Sequence, residues 1–143
     1  MVRNHHHRNV RLIALLLLSA MPAAAQELAQ PLTGQPGDAA RGKAVAVNSD
    51  LGNCLICHAI PIPEVPEGAA GDLGPSLAGV GGRMSAAELR QRIVDPKAIN
   101  PDTIMPGYFV TEGLTRVQNQ YEGRPVLTGQ QIEDLVAYLM TLN

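Results

Sequence analysis

The sequence predicts an all-α domain of three main helices joined by long loops. Three observations carry that expectation. First, Ser85 with Glu88, and Thr128 with Gln131, each place a hydroxyl residue three positions before a Glu or Gln at the start of an apolar stripe, the signature of a capped helix start. Second, no alternating apolar runs pair across a turn, and there is neither a βαβ alternation nor an internal repeat. Third, two long segments, residues 60–75 and 96–107, are dense in Pro and Gly and therefore read as irregular surface chain.

The elements follow in chain order. Arg3, His5 to Arg8 and Arg11 form a basic start, Leu12 to Leu18 an apolar run, and Pro22 then Ala23-Ala24-Ala25 a small-residue end. This is the layout of a secretory signal peptide covering residues 1–25, with cleavage after Ala25. The apolar run is too short to span a bilayer comfortably. Residues 26–36 are polar and Pro-containing and read as a flexible segment, and the domain proper is expected over residues 37–143. Asp38 is placed to cap a helix over about Ala39 to Asn48, with Ala40, Ala44 and Val47 on one face. Gly42 within it marks either a close approach by another backbone or a tolerated helical glycine. The second helix starts at Ser85, carries Leu89, Ile93 and Val94, and stops at Asp95-Pro96, because the residue before a proline avoids the helical region. Residues 108–127 are expected to hold a short extended piece. The last helix starts at Thr128 and repeats Ile132, Leu135, Val136 and Leu139 at helical spacing.

Three of the 11 Lys and Arg and none of the 13 Asp and Glu lie in residues 1–25, so the exported chain carries a net charge of −5. That balance argues against nucleic acid, whose binding needs a basic face. Three of the four His also lie in that segment, where they serve as additional positive charge. What remains is one His, His58, and two Cys, Cys54 and Cys57, within five residues of each other. The exported chain has only Tyr108, Phe109, Tyr121 and Tyr138 as aromatics. A chain with so few aromatics and such long loops needs another body to pack on.

Cys54-Leu55-Ile56-Cys57-His58 is the C-x-x-C-H pattern of covalent haem attachment. Each sulfur adds to one haem vinyl group. The two vinyls lie along one edge, so the thiols must sit about one helical turn apart, and the following His is then placed to reach the iron. One haem c is expected, and it supplies the missing apolar body. A zinc site would need a fourth ligand, and no further Cys or His is available. A thioredoxin-like pair would accompany a βαβ pattern. A disulfide between these cysteines closes too small a loop to stabilise much.

A second iron ligand must come from another residue type. Met84, Met105 and Met140 remain after residue 25. Met140 lies beside the stripe of the last helix and suits a core position, and Met84 precedes a helix cap. Met105 precedes Pro106-Gly107 in a Pro-rich loop, 47 residues after His58. Prolines lower the entropy lost in holding such a loop, so Met105 is the expected ligand opposite His58. Iron held by His58 and Met105 has no open position, and Met ligation raises the reduction potential.

A helix, C-x-x-C-H, Gly74-Pro75, a Met-Pro loop and a final helix together resemble the class I cytochrome c family. The resemblance implies that fold, and it implies that the Pro75 carbonyl accepts the Nδ1–H of His58. Gly52 to Pro61, Gly74 to Val80, Ile93 to Pro96, Asn100 to Pro106 and Glu112 to Val117 narrow the likeness to the SoxX family, the monohaem cytochromes of the periplasmic sulfur-oxidising (Sox) system. That resemblance spans about residues 37–143. It implies a periplasmic electron-transfer subunit that forms a heterodimer with a second c-type cytochrome, SoxA-like, which carries the catalytic site. Together the two couple thiosulfate oxidatively to a cysteine of a carrier protein, and a downstream acceptor then takes the electrons. No catalytic residue is expected in this chain, which has no spare Cys.

Two other function classes stand beside this one. A free-standing soluble carrier to a terminal oxidase would need little chain between the Met loop and the last helix, yet roughly 20 residues intervene, with Arg116, Tyr121 and Arg124 as interface anchors or as a solvated loop. Haem catalysis such as peroxidase activity would need Met105 off the iron, and no distal His supports it. Ile60 to Pro66 forms a stiff apolar run that either meets the partner or lids the haem.

Overall fold

A computed structural model describes residues 28–66 and 68–143. The proposed signal peptide, residues 1–25, lies outside the described residues. Helix α1 spans Ala39–Val47, and the carboxylate of Asp38 caps it by accepting the Arg41 amide at 2.8 Å. A 3-10 turn, Cys54–Ile56, follows. Helix α2, Val80–Arg83, is a single turn that the apolar pattern did not announce. Helix α3 spans Ala86–Val94 with the Ser85–Glu88 capping box formed, and helix α4 spans Gly129–Leu139 with the Thr128–Gln131 box formed. No strand occurs among the described residues. Residues 108–127 hold a 3-10 turn, Asn119–Tyr121, instead of the expected extended piece. Their two ends meet where the Leu127 amide donates to the Tyr108 carbonyl at 3.0 Å.

The main contact is α1 against α4, and it corrects the face expected for α1. Ala40, Ala44 and Val47 are exposed, and the buried positions are Gly42, Val45 and Ala46. A Cβ at Gly42 would collide with the Asp134 carbonyl oxygen and stand 2.8 Å from the Tyr138 Cβ. The position without a side chain must therefore face α4, and the rest of the helix turns with it. Of the two readings of Gly42, close backbone approach is the one observed.

Ile132, Leu135, Val136 and Leu139 form the buried stripe of α4, against Val45, Ala46, Leu89 and Ile93. Burying each large side chain contributes about 1.5–3 kcal/mol. Two acidic residues are buried beside this stripe. Glu133 accepts from Nε and a terminal nitrogen of Arg90 at 2.8 and 2.9 Å, with both side chains about 5% exposed. It also accepts the Leu32 amide at 2.8 Å, and Arg90 donates to the Leu28 carbonyl at 2.9 Å. Asp134 accepts from Arg41 at 2.7 and 2.8 Å, from the Asp38 amide at 2.8 Å and from Gln130 at 3.0 Å. Every buried side-chain polar atom among the described residues has a partner, as buried charge requires.

Ile60 and Ile62 are each 6% exposed and belong to the core, while Pro61, Pro63 and Pro66 lie outside. The two isoleucines of the run Ile60 to Pro66 thus serve the core, its prolines face outward, and none of it lines the cavity that holds His58.

Candidate functional site

The 3-10 turn Cys54–Ile56 begins at the first cysteine and is capped by the second, Cys57. Asn53 precedes it in the left-handed region at φ 47°, ψ 38°, and the Cys57 and His58 amides both donate back to the Cys54 carbonyl, at 3.2 and 2.9 Å. This tight winding sets the thiols one turn apart and places His58 at the turn's end. Both Cys are free and half-buried. Burial pushes the Cys54 thiol up to about 11, so the neutral form is favoured there. A thioether, also uncharged, suits the same surroundings.

His58 is held by residues that follow the first Pro-rich segment. Its Nδ1 lies 2.7 Å from the Pro75 carbonyl oxygen. A carbonyl only accepts, so Nδ1 carries the proton and Nε2 keeps its lone pair for a metal. Gly74 lies flat against the ring: a Cβ there would collide with Cε1 and stand 2.6 Å from Nδ1. The Gly74 amide donates to the Cys57 carbonyl at 2.8 Å, which pins the loop in place. Arg83 reaches back to the same loop, donating to the Ala78 carbonyl at 2.5 Å and the Ser76 carbonyl at 3.3 Å.

The loop bearing Met105 is ordered by its own short-range bonds. The Asp102 amide donates to the Asn100 side chain at 3.1 Å, the Thr103 amide to the Asn100 carbonyl at 3.1 Å, and the Met105 amide to the Thr103 hydroxyl at 3.2 Å. Beyond it, the Tyr108 hydroxyl donates to the Gly52 carbonyl at 2.6 Å. Burial pushes that phenol up to about 12.

One cavity of ≈ 440 Å³ brings Cys54, Cys57, His58, Pro75 and Met105 together. Met84 also lines it and Met140 does not, which leaves two candidate thioethers where three stood. The remaining wall is mainly apolar, with Leu77, Val80, Leu89, Ile93, Leu135 and Leu139. The charged side chains lining it are Arg83 and Arg92, with no carboxylate. A haem fits this donor set on chemical grounds: two thiols for attachment, an imidazole with a free Nε2, a thioether, an apolar wall for the ring, and cations for its carboxylates. Sequence reasoning missed Gly74 as a contact of His58, and missed Arg83, Arg92 and Tyr108. Gly74, Arg83 and Arg92 needed the path of the folded chain. For Tyr108 the available signal was an aromatic placed directly after Met105-Pro106-Gly107.

The family model described as Cytochrome c matches residues 39–143. Among solved structures, the chain is similar to one in the crystal structure of SoxXA from P. pantotrophus, at 36% identity and a TM-score of 0.72. The alignment covers 79% of this chain and 87% of that one. No curated protein sequence matches. No helix of the described residues is long and apolar enough to cross a membrane.

Proposed function

This chain belongs to the cytochrome c family, and on that premise we propose that it is the one-haem, SoxX-like electron-transfer subunit of a periplasmic sulfur-oxidising complex, paired with a second, SoxA-like c-type cytochrome. The similarity to the SoxXA structure, 36% identical over 87% of that chain, is the observation that carries the reading. The periplasmic address adds a cleaved signal peptide, residues 1–25, to the absence of a membrane-length helix among the described residues.

A bound haem supplies a one-electron iron couple. Cys54 and Cys57 would hold it through two thioethers. His58, fixed in tautomer and orientation by Pro75 and Gly74, presents Nε2. Met105 presents its thioether from the loop ordered by Asn100 and Thr103. With His58 and Met105 both held as iron ligands, the group would leave substrate no place at the metal, and the chain would serve electron transfer. Coupling the thiosulfate dianion to a thiol forms one sulfur–sulfur bond and releases one proton, from the thiol, and two electrons. With one haem held by Cys54, Cys57, His58 and Met105, the chain would pass those electrons singly.

The partner's approach is expected at the cavity mouth. Ile56, Leu73 and Ile104 are 64, 69 and 76% exposed, and Leu73 and Ile104 line the mouth itself. Exposed apolar groups beside a redox centre suit a docking surface. Tyr121 and Arg124 are the expected specific anchors.

Coexpression with the neighbouring c-type cytochrome tests the reading. Stoichiometric copurification is expected, with loss of it in Tyr121→Ala plus Arg124→Ala. A protein that stays monomeric beside that cytochrome yet still accepts electrons is a free-standing carrier, and the subunit assignment falls. Met105→Ala should remove the sulfur-to-iron charge-transfer band, whereas Met84→Ala and Met140→Ala should keep it. A band that persists without Met105 moves the ligand to Met84, the other thioether lining the cavity.

A further inference from the structure

The cavity is lined by two separate stretches of chain that must keep a fixed separation: the segment before and through Cys54, and the loop through Met105. Tyr108 joins them. Its hydroxyl donates to the Gly52 carbonyl at 2.6 Å. Its amide donates to the Ile93 carbonyl at 3.0 Å, and its carbonyl accepts the Leu127 amide at 3.0 Å. One residue thus binds the Cys segment, helix α3 and the chain leading into α4.

Among the described residues no other hydrogen bond links the Met105 loop to the Cys54 segment, and no other donor reaches the Gly52 carbonyl. Gly52 is itself tied to α1. It is buried, its amide donates to the Val45 carbonyl at 3.1 Å, and a Cβ there would stand 2.8 Å from that same oxygen. The far end of the tie is therefore anchored to α1. Only Pro106 and Gly107 separate Tyr108 from Met105, so a displacement of Tyr108 is passed to Met105 with little slack.

We propose that Tyr108 is a positioning residue for the distal ligand: by tying the Met105 loop to the Cys54 segment, its hydroxyl holds the Met105 thioether at the iron. This rests on the reading of Met105 as that ligand. The hydroxyl is committed to the Gly52 carbonyl, and through that bond it restricts how far the loop can swing away.

Four haem-loaded proteins test it: the wild type, Met105→Ala, Tyr108→Phe and Thr128→Ala. The readouts are the sulfur-to-iron charge-transfer band, the rate at which added imidazole displaces the distal ligand, and the urea midpoint. Tyr108→Phe keeps the ring and removes the donor, stranding a buried acceptor. It should retain the band and speed displacement by roughly tenfold. Thr128→Ala removes the hydroxyl that caps helix α4 by accepting the Gln131 amide, and leaves every bond of Tyr108 in place. It should lower the urea midpoint and leave displacement at the wild-type rate. Unchanged displacement in Tyr108→Phe overturns the proposal, as does equal acceleration in Thr128→Ala, which would make the effect one of global stability. A wild-type band that survives Met105→Ala overturns the ligand reading itself, and that outcome is distinct from the other two.

Discussion

Gly74→Ala tests how His58 is held. The new Cβ would collide with Cε1 of the imidazole and stand 2.6 and 2.8 Å from Nδ1 and Nε2, inside the 3.0 Å that real Cβ atoms keep. The loop cannot simply back away, because the Gly74 amide is bonded to the Cys57 carbonyl at 2.8 Å. The ring must move instead, and with it the 2.7 Å bond from Nδ1 to Pro75. Overpacking contributes about 1–3 kcal/mol and loss of the bond about 0.5–1.5 kcal/mol. Together they make a destabilisation of roughly 2–4 kcal/mol, on the order of 10–20 °C in Tm for a domain of this size. The imidazole also becomes less basic without its acceptor, so the midpoint potential should rise. Thermal unfolding and a redox titration of the haem-loaded protein read both effects. Gly82→Ala is the control: a Cβ there meets nothing within 4 Å, and helix α2 should be unchanged or stabilised by up to about 1 kcal/mol. A Gly74→Ala protein with wild-type Tm and potential would refute the contact between Gly74 and His58.

Two further outcomes concern the buried charges. Arg90→Leu leaves Glu133 without its cation and should cost about 3–5 kcal/mol in urea unfolding at neutral pH, whereas Arg90→Leu with Glu133→Leu should recover most of it; a double variant as unstable as the single one would count against a paired charge. Asp134 is held at about 2, chiefly by the hydrogen bond from Arg41. Its folded value lies below the ordinary 3.8, so the unfolded chain binds more protons between the two. The stabilisation is full above about pH 4 and is lost as pH falls through about 2. With the exposed Arg41 partly screened, about 1–2 kcal/mol should disappear across that window, and Asp134→Asn should remove that part of the acid sensitivity.

The sequence by itself determined what local chemistry decides. The Ser85–Glu88 and Thr128–Gln131 boxes form within one turn of chain, so the starts of α3 and α4 were legible to the residue. The Cys54 to His58 spacing is likewise a property of five consecutive residues, and it was enough to name the cofactor class. Pro75 came only from resemblance, because a carbonyl 17 residues from His58 leaves no local trace. Tertiary structure alone decided which face of α1 is buried: Ala40, Ala44 and Val47 looked the more apolar, but Gly42 is where two backbones must touch. It also decided that Ile60 and Ile62 serve the core, that Arg90 reaches Glu133 across 43 positions, and that Tyr108 reaches Gly52 across 56. The physical reason is the same in each case. Caps and attachment motifs are satisfied by neighbours in the chain, whereas close approach, buried pairing and the tie across the cavity depend on how α1 and α4 pack, and nothing in a local window states which surfaces will meet.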